Sequence, residues 1–407
     1  VIRSEFDSRN HLLIGFLGFI MIGMGNAAPG VAWTHIQRQF EISLDNLGLL
    51  LGAMTIGRLV LSVYSGSVIR WLGLGDHMLV GSGIMLVGLA GFALAPTWET
   101  LLLMALVYGI GGAMINTGVN THGAAYYSSA RMNSLHASFG FGAAMGPLIV
   151  TIVAIHLSLM WQWSYVIFAA VQVTLTAVLF LTRRRWKLPD TPISDDPQQR
   201  NSPTLIDSSR LRAVQVVSLL IFLHGGIQYG VAQLTDTLLT QSRGVDPAIA
   251  GTGVSLFWAA LTAGRMFSGV AMAHLNTDRF MRINMLLTAA GAVMVWSNLA
   301  HVVTFAGIAL MGFTLGPIIP TLLAETSGRT GSAHVANAVG LQIAAAGVGI
   351  AVLPGIAAFV ADRAGLETIG AYLFIVAGAS VVLYEFLLRF DRGRRDTKLP
   401  AASVTRS

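Results

Sequence analysis

Residues 183–204 read RRRWKLPDTPISDDPQQRNSPT, a run of Pro, Asp, Ser, Gln and Arg that forms the longest polar stretch of the chain. Such a composition predicts a flexible connector, here 183–211. Upstream lie six apolar stretches, at 11–34, 46–69, 77–95, 99–127, 132–156 and 162–182. Downstream lie six more, at 212–240, 247–274, 280–299, 302–326, 333–361 and 367–389. Each is long enough to cross a bilayer, which takes about 17–25 residues as a helix. The reading is an all-α membrane protein of twelve transmembrane helices in two pseudo-symmetric six-helix bundles. Residues 1–182 form the first bundle, and 212–407 form the second with a short tail.

Composition agrees. Of 407 residues, 54% are hydrophobic and 11% charged, against roughly a quarter charged in a soluble domain. The apolar excess needs lipid around it. Forty-five glycines suit closely packed membrane helices, and the absence of cysteine excludes disulfides and thiolate chemistry. No cofactor or metal is implied. The first apolar stretch follows His11 and runs on as a full span, so no cleavable signal peptide is expected.

The formal charge is +6, which raises nucleic acid as a partner. Placement of the charges argues against it. All but five of the 25 Lys and Arg fall in the termini or the even-numbered loops; the exceptions are Arg38, Arg243 and Arg363 in odd-numbered loops and Arg58 and Arg265 inside spans. By the positive-inside rule both termini are cytoplasmic, and the expected location is the cell inner membrane. A monomer is expected.

The halves echo each other. Span two carries IGRLVLSVYSG (56–66) and span eight AGRMFSGVAMAH (263–274), each with a Gly-Arg pair in mid-helix. Spans four and ten end in short basic turns at Arg131 and Arg329. Spans five and eleven are rich in Gly and Ala, with HASFGFGAAMGP (136–147) and QIAAAGVGIAVLPG (342–355). On these features the chain resembles the major facilitator superfamily over essentially its whole length. NTGVNTHGAA (116–125), LHASFGFGAAMGP (135–147), LFWAALTAGR (256–265) and LGPIIPTLLAE (315–325) are similar to its sugar-permease branch, which includes fucose and glucose proton symporters. The loop GSVIRWLGLGD (66–76) is a degenerate form of the superfamily's Gly/Asp/Arg signature, and Gly142, Gly146 and Pro147 resemble part of an antiporter signature, which leaves export open.

Polar groups within spans are costly and need a reason. Asn116 and Asn120 in span four share a helical face and offer amides that match hydroxyls, with bonding to the backbone of a neighbouring helix the alternative. Span seven carries His224, Gln228, Tyr229 and Gln233, of which His224, Gln228 and Gln233 form a comparable strip; Asp236 beyond them is a candidate for coupling, expected in a solvated position at the boundary. In span one, MIGMGNAAPGVAW (21–33) surrounds Asn26 with Gly25, Pro29 and Gly30, which either loosen the helix or permit close packing. Trp258 is a candidate platform for a sugar ring, with simple packing the alternative.

Arg58 and Arg265 lie about twelve residues from their loops, hence ~18 Å deep at the helical rise. Two guanidiniums without a deep carboxylate suggest an anion site. The competing reading is structural, with each Arg bonding carbonyls at the end of a neighbouring helix.

The resemblance implies coupling acids in spans one and four. This sequence has Asn116 in place of the second and none in span one, and Gln228 stands where relatives often carry Glu. His122, His136 and His224 are the alternative titratable candidates for proton coupling. The leading expectation is alternating-access transport of a small polar, sugar-like solute, secondary active or facilitative. A small-anion transporter using Arg58 and Arg265, a drug exporter and a transporter-like sensor are the alternatives. No enzyme signature occurs.

Overall fold

The computed structural model describes residues 2–127, 129–186, 204–330 and 334–396. The first span is made of α1 (Ile2–Ala27) and α2 (Pro29–Phe40). Next come α3 (Asn46–Leu72), α4 (Leu74–Leu94), α5 (Trp98–Tyr126), α6 (Ser129–Thr151), which runs on through a π-turn at Ile152–His156, and α7 (Gln162–Thr182). A short α8 (Leu205–Ser209) precedes the second half. There α9 (Arg212–Thr237), α10 (Pro247–His274) and α11 (Thr277–Ser297) are followed by a broken tenth span. That span comprises α12 (His301–Leu315), α13 (Ile318–Ala324) and α14 (Thr326–Thr330), and α15 (Val335–Ala364) and α16 (Thr368–Asp396) complete the fold. Among the described residues, eleven helices are long and apolar enough to cross a membrane, and α3 adds a shorter apolar segment at Asn46–Leu61.

Packing repeats between the halves. In the first, α1 packs on α6, α3 and α4 both pack on α5, and α4 packs on α7; in the second, α9 packs on α15, α10 and α11 pack on α12, and α11 packs on α16. Each pairing has its counterpart at the matching span. Glycine explains two of them. A Cβ on Gly57 would overlap the Leu106 carbonyl, and one on Gly264 would overlap the Phe313 carbonyl. Only glycine lets these backbones approach so closely, and each sits immediately before the mid-helix arginine that its helix carries.

The halves meet along α6 and α10, along α3 and α15, and along α2 and α9. Large apolar side chains such as Leu49, Val87, Phe180, Leu286 and Val382 point outward and exposed, which suits a lipid surround.

Both described ends of the expected connector are docked, and residues 187–203 lie outside the described residues. Trp186 packs against the rings of His11 and His122, with centroids 4.4 and 4.7 Å away. Thr204 and Asp207 form a capping box on α8, and Ser208 Oγ lies 3.0 Å from His334 Nδ1. Hydrogen bonds from the Thr204 hydroxyl and backbone hold the Asp207 carboxyl below its ordinary range.

Span one is barely interrupted. Ala28 N still bonds Met24 O at 3.0 Å and Ala32 N bonds Ala28 O at 3.0 Å. Its glycines serve close packing: a Cβ on Gly25 would overlap the Tyr108 hydroxyl, and one on Gly30 would overlap the Ala232 carbonyl.

Candidate solute-binding cavity

Between the halves lies a cavity of about 260 Å³. Its polar lining comes from Asn26, Arg58, Tyr108, Asn116, His136, Gln228, Tyr229 and Arg265, and its apolar lining includes Phe19, Ile22, Phe139, Ile319 and Ile350. Both bundles contribute. No carboxylate is among these residues.

Arg58 donates from Nη2 to Asn26 Oδ1 at 3.3 Å, which joins α3 to the first span. The Tyr108 hydroxyl donates to the Ile22 carbonyl at 3.0 Å. Gln233 Nε2 donates to the Asn26 carbonyl at 3.1 Å, tying α9 to the same turn of α1. Arg265 donates from Nε to the Gly316 carbonyl at 3.1 Å; its terminal nitrogens take no hydrogen-bond partner among the described residues. Tyr229 hydrogen-bonds Arg58 and lies in the fields of both guanidiniums, and His136 lies in the field of Arg265.

Of the residues singled out from sequence, Asn26, Arg58, Asn116, His136, Gln228 and Arg265 therefore line one cavity. Asn120 stands a turn from it, donating to Asn116 Oδ1. His224 is buried and its Nδ1 lies 2.8 Å from the Leu220 carbonyl. His122 is buried in the aromatic group with His11, Tyr126, Tyr127 and Trp186. Trp258 does not line the cavity: it is 0% exposed and packs edge-on behind Phe139 and Tyr229. Gln233 lies in the seam between α2 and α9. Asp236 is 2% exposed, not solvated.

Sequence reading missed Tyr108. It precedes Asn116 by eight residues on α5, so Tyr108, Gly112 and Asn116 fall on one helical face.

With six spans in each half, the described residues nearest both termini and both ends of the connector lie on one face. A second cavity of about 630 Å³ shares His136, Arg265 and Ile319 with the first and is lined by Ser134, Ser268, Gly269 and Pro320, toward the connector-side ends of α6 and α10. The opposite face is sealed. There Leu44 N donates to Asp362 Oδ1 at 3.3 Å, Arg363 pairs with Asp45 at 3.8 Å, and the backbones of Gly48 and Gly355 touch.

Three comparisons bear on this arrangement. The chain is 22% identical over 331 residues to the glucose/mannose transporter GlcP of Bacillus subtilis (strain 168), spanning 78% of this chain and 80% of that protein. It is 26% identical over 364 residues to the 3-(3-hydroxy-phenyl)propionate transporter of Escherichia coli (strain K12), spanning 86% and 85% respectively. The crystal structure of the nucleoside transporter NupG has the same fold, with a TM-score of 0.73 at 15% identity over 94% of this chain and 98% of that one. The model of the Major Facilitator Superfamily matches residues 15–237 and 217–407. The likeness to GlcP agrees with the sugar-permease features of spans four, five, eight and ten. Two pseudo-equivalent six-helix bundles around a polar cavity, together with that match, establish that the chain is a small-solute transporter belonging to the major facilitator superfamily.

Proposed function

We propose that the transported solute is a small hydroxylated organic anion, a sugar acid in its simplest form. The observation that carries this reading is the lining of the central cavity: two guanidiniums, Arg58 and Arg265, with no acid among the described residues around it. Like charges in a partly desolvated space are costly unless a counter-charge joins them. A carboxylate on the solute supplies it, and the two Arg forks suit its geometry. Amides at Asn26, Asn116 and Gln228 and the phenols of Tyr108 and Tyr229 then bond hydroxyls. A cavity of about 260 Å³ suits a small molecule.

Transport follows by rocking the bundles 1–182 and 212–407 about the cavity. The distribution of Lys and Arg supports an inner membrane with both termini in the cytoplasm, so that the cavity here opens inward. A neutral sugar is the second reading, supported by the same amides and by the likeness to a glucose/mannose transporter.

Counterflow in proteoliposomes tests the proposal. Labelled gluconate is expected to exchange saturably, with competition by gluconate and glucuronate and little by glucose. Arg265→Lys should lower exchange at least about tenfold. Exchange of glucose that survives Arg265→Lys and is lost in Asn116→Ala overturns the anion reading in favour of the neutral sugar.

A further inference from the structure

A groove of about 470 Å³ follows the seam between α3 and α15 on the sealed face. One wall belongs to each bundle, and the walls close on each other where Gly48 meets Gly355. Leu49, Val352, Ile356 and Phe359 line the groove and are between 42 and 57% exposed. Apolar side chains this open on a membrane span face hydrocarbon. The floor is open as well, since a Cβ on Gly52 would meet nothing within 4 Å. From Asn46 to Gly52 the wall of α3 rises ~9 Å, a length suited to part of an acyl chain.

The outer end of the groove is polar. Asp45 and Asn46 line it, and Arg363 stands beside them with its guanidinium 3.5 Å over the Phe359 ring. Nη1 of Arg363 is shared between Asp45, at 3.8 Å, and the Phe359 carbonyl, at 3.2 Å. Its Nε and Nη2 take no partner among the described residues, and its side chain is 54% exposed. Asp362, which accepts from Leu44 N, adds a second carboxylate to this mouth. Two carboxylates against one guanidinium disfavour an anionic headgroup. A phosphate that carries a primary ammonium suits them, with its oxygens on the open guanidinium edge and its N–H donors toward Asp45.

We propose that this groove binds one acyl chain of an amine-bearing phospholipid from the leaflet at the sealed face, its phosphate on Arg363 and its ammonium on Asp45. Polarity along the groove runs in the order such a lipid has it, from charged mouth to apolar floor. Both walls are needed, so the site exists only while the seam is shut. A ligand that binds one of two states stabilises that state by its own binding energy. The lipid therefore biases the protein toward the orientation in which this face is closed. The inference needs the alternating motion of the two halves but not the identity of the solute.

Native mass spectrometry of the purified protein compares phosphatidylethanolamine with phosphatidylglycerol. The parent should bind one phosphatidylethanolamine at least about tenfold more tightly than phosphatidylglycerol. Gly52→Phe fills the groove and should weaken that binding at least about tenfold, with the lipid-free melting temperature kept. Because the chain has no cysteine, Thr55→Cys, buried on α3, reports on the seam. In proteoliposomes of phosphatidylglycerol, added phosphatidylethanolamine should slow its reaction with an impermeant maleimide from the sealed side at least about threefold. Gly52→Phe should erase that slowing. Equal affinity for the two lipids, unchanged binding in Gly52→Phe or an unmoved labelling rate overturns the proposal. Should Gly52→Phe fail to fold, a diazirine-bearing phosphatidylethanolamine decides on the parent. Adducts confined to 45–52 and 351–363 support the site, and adducts spread over the other spans overturn it.

Discussion

Arg265 donates its Nε–H to the carbonyl of Gly316 at 3.1 Å, the carbonyl that an unbroken helix bonds to residue 320, here a proline. Pro320 has no N–H to give. The tenth span breaks between α12 and α13 at this point, and a guanidinium from α10 takes the missing donor's place. One nitrogen of Arg265 thus holds a helix end while the other two remain at the cavity. The structural and solute-binding readings of this residue describe different atoms of the same side chain.

That division can be separated by mutation. Arg265→Lys replaces a planar fork with a single point charge, which cannot both reach Gly316 and present two donors to the cavity. Thermal stability should fall by about 1.5–3 kcal/mol, the range for a hydrogen bond to a charged group, and counterflow should fall at least about tenfold. Adding Pro320→Ala restores an N–H for Gly316 and should recover the melting temperature without recovering transport. Recovery of both would leave Arg265 a helix brace only.

The glycines before the two arginines give a second prediction. Gly57→Val and Gly264→Val force side chains into the carbonyls of Leu106 and Phe313, and overpacking of this kind costs about 1–3 kcal/mol. Gly52→Ala on α3 meets nothing within 4 Å and should be neutral or slightly stabilising, since Ala favours helix over Gly by about 1 kcal/mol. Melting curves of the three purified variants check the ordering.

The transmembrane plan was legible because lipid and the helical rise leave few solutions, and the repeated Gly-Arg pairs exposed the symmetry. Positions of individual side chains along a span were less legible. Asn26, Asn116 and Gln228 were readable as polar groups in apolar helices, and all three reach the cavity. Trp258 was readable only as an aromatic; whether it meets a solute or packs behind Phe139 depends on helix rotation, which one sequence does not encode. Tyr108 escaped notice because tyrosine is common in membrane helices, although its spacing from Asn116 was visible. The misplaced cations also acquire a reason in three dimensions. Arg243 and Arg363, which break the loop-charge pattern, are bound to Glu367 and Asp45.

Arg243 supports a pH prediction. It donates to both oxygens of Glu367, at 3.0 and 2.7 Å, to Thr304 Oγ1 at 2.8 Å and to the Val295 carbonyl at 2.7 Å. These bonds hold the Glu367 carboxyl below its ordinary value of 4.5. A carboxylate depressed on folding stabilises fully above its unfolded value, and the contribution is lost as pH falls through the lower folded value. Wild-type melting temperature should therefore decline below about pH 4.5. Glu367→Gln should remove the part of that decline due to this group and cost roughly 1–3 kcal/mol at neutral pH, since Arg243 stays buried while Glu367 is part-solvated. An acid profile unchanged by Glu367→Gln would show that the pair carries no linked stability.

Gly48 and Gly355 make the sealed face sensitive to a single side chain. A Cβ on Gly48 would lie 2.8 Å from the Gly355 Cα, so α3 and α15 touch there without room for any substituent. The backbones are fixed within their own bundles, and relief requires the bundles to separate. Gly48→Leu should therefore hold this seam apart, leaving each bundle folded. Binding measured by thermal shift with gluconate should persist, while counterflow should fall at least about tenfold because one of the two orientations is no longer reached. Thr55, buried on α3 close to α15, offers the structural readout. As Thr55→Cys it should react with an impermeant maleimide from the sealed side in the Gly48→Leu background and stay protected in the parent. Equal protection in both would mean that the seam closes without the glycine contact, and that the two halves are held together on this face by Asp45, Asp362 and Arg363 instead.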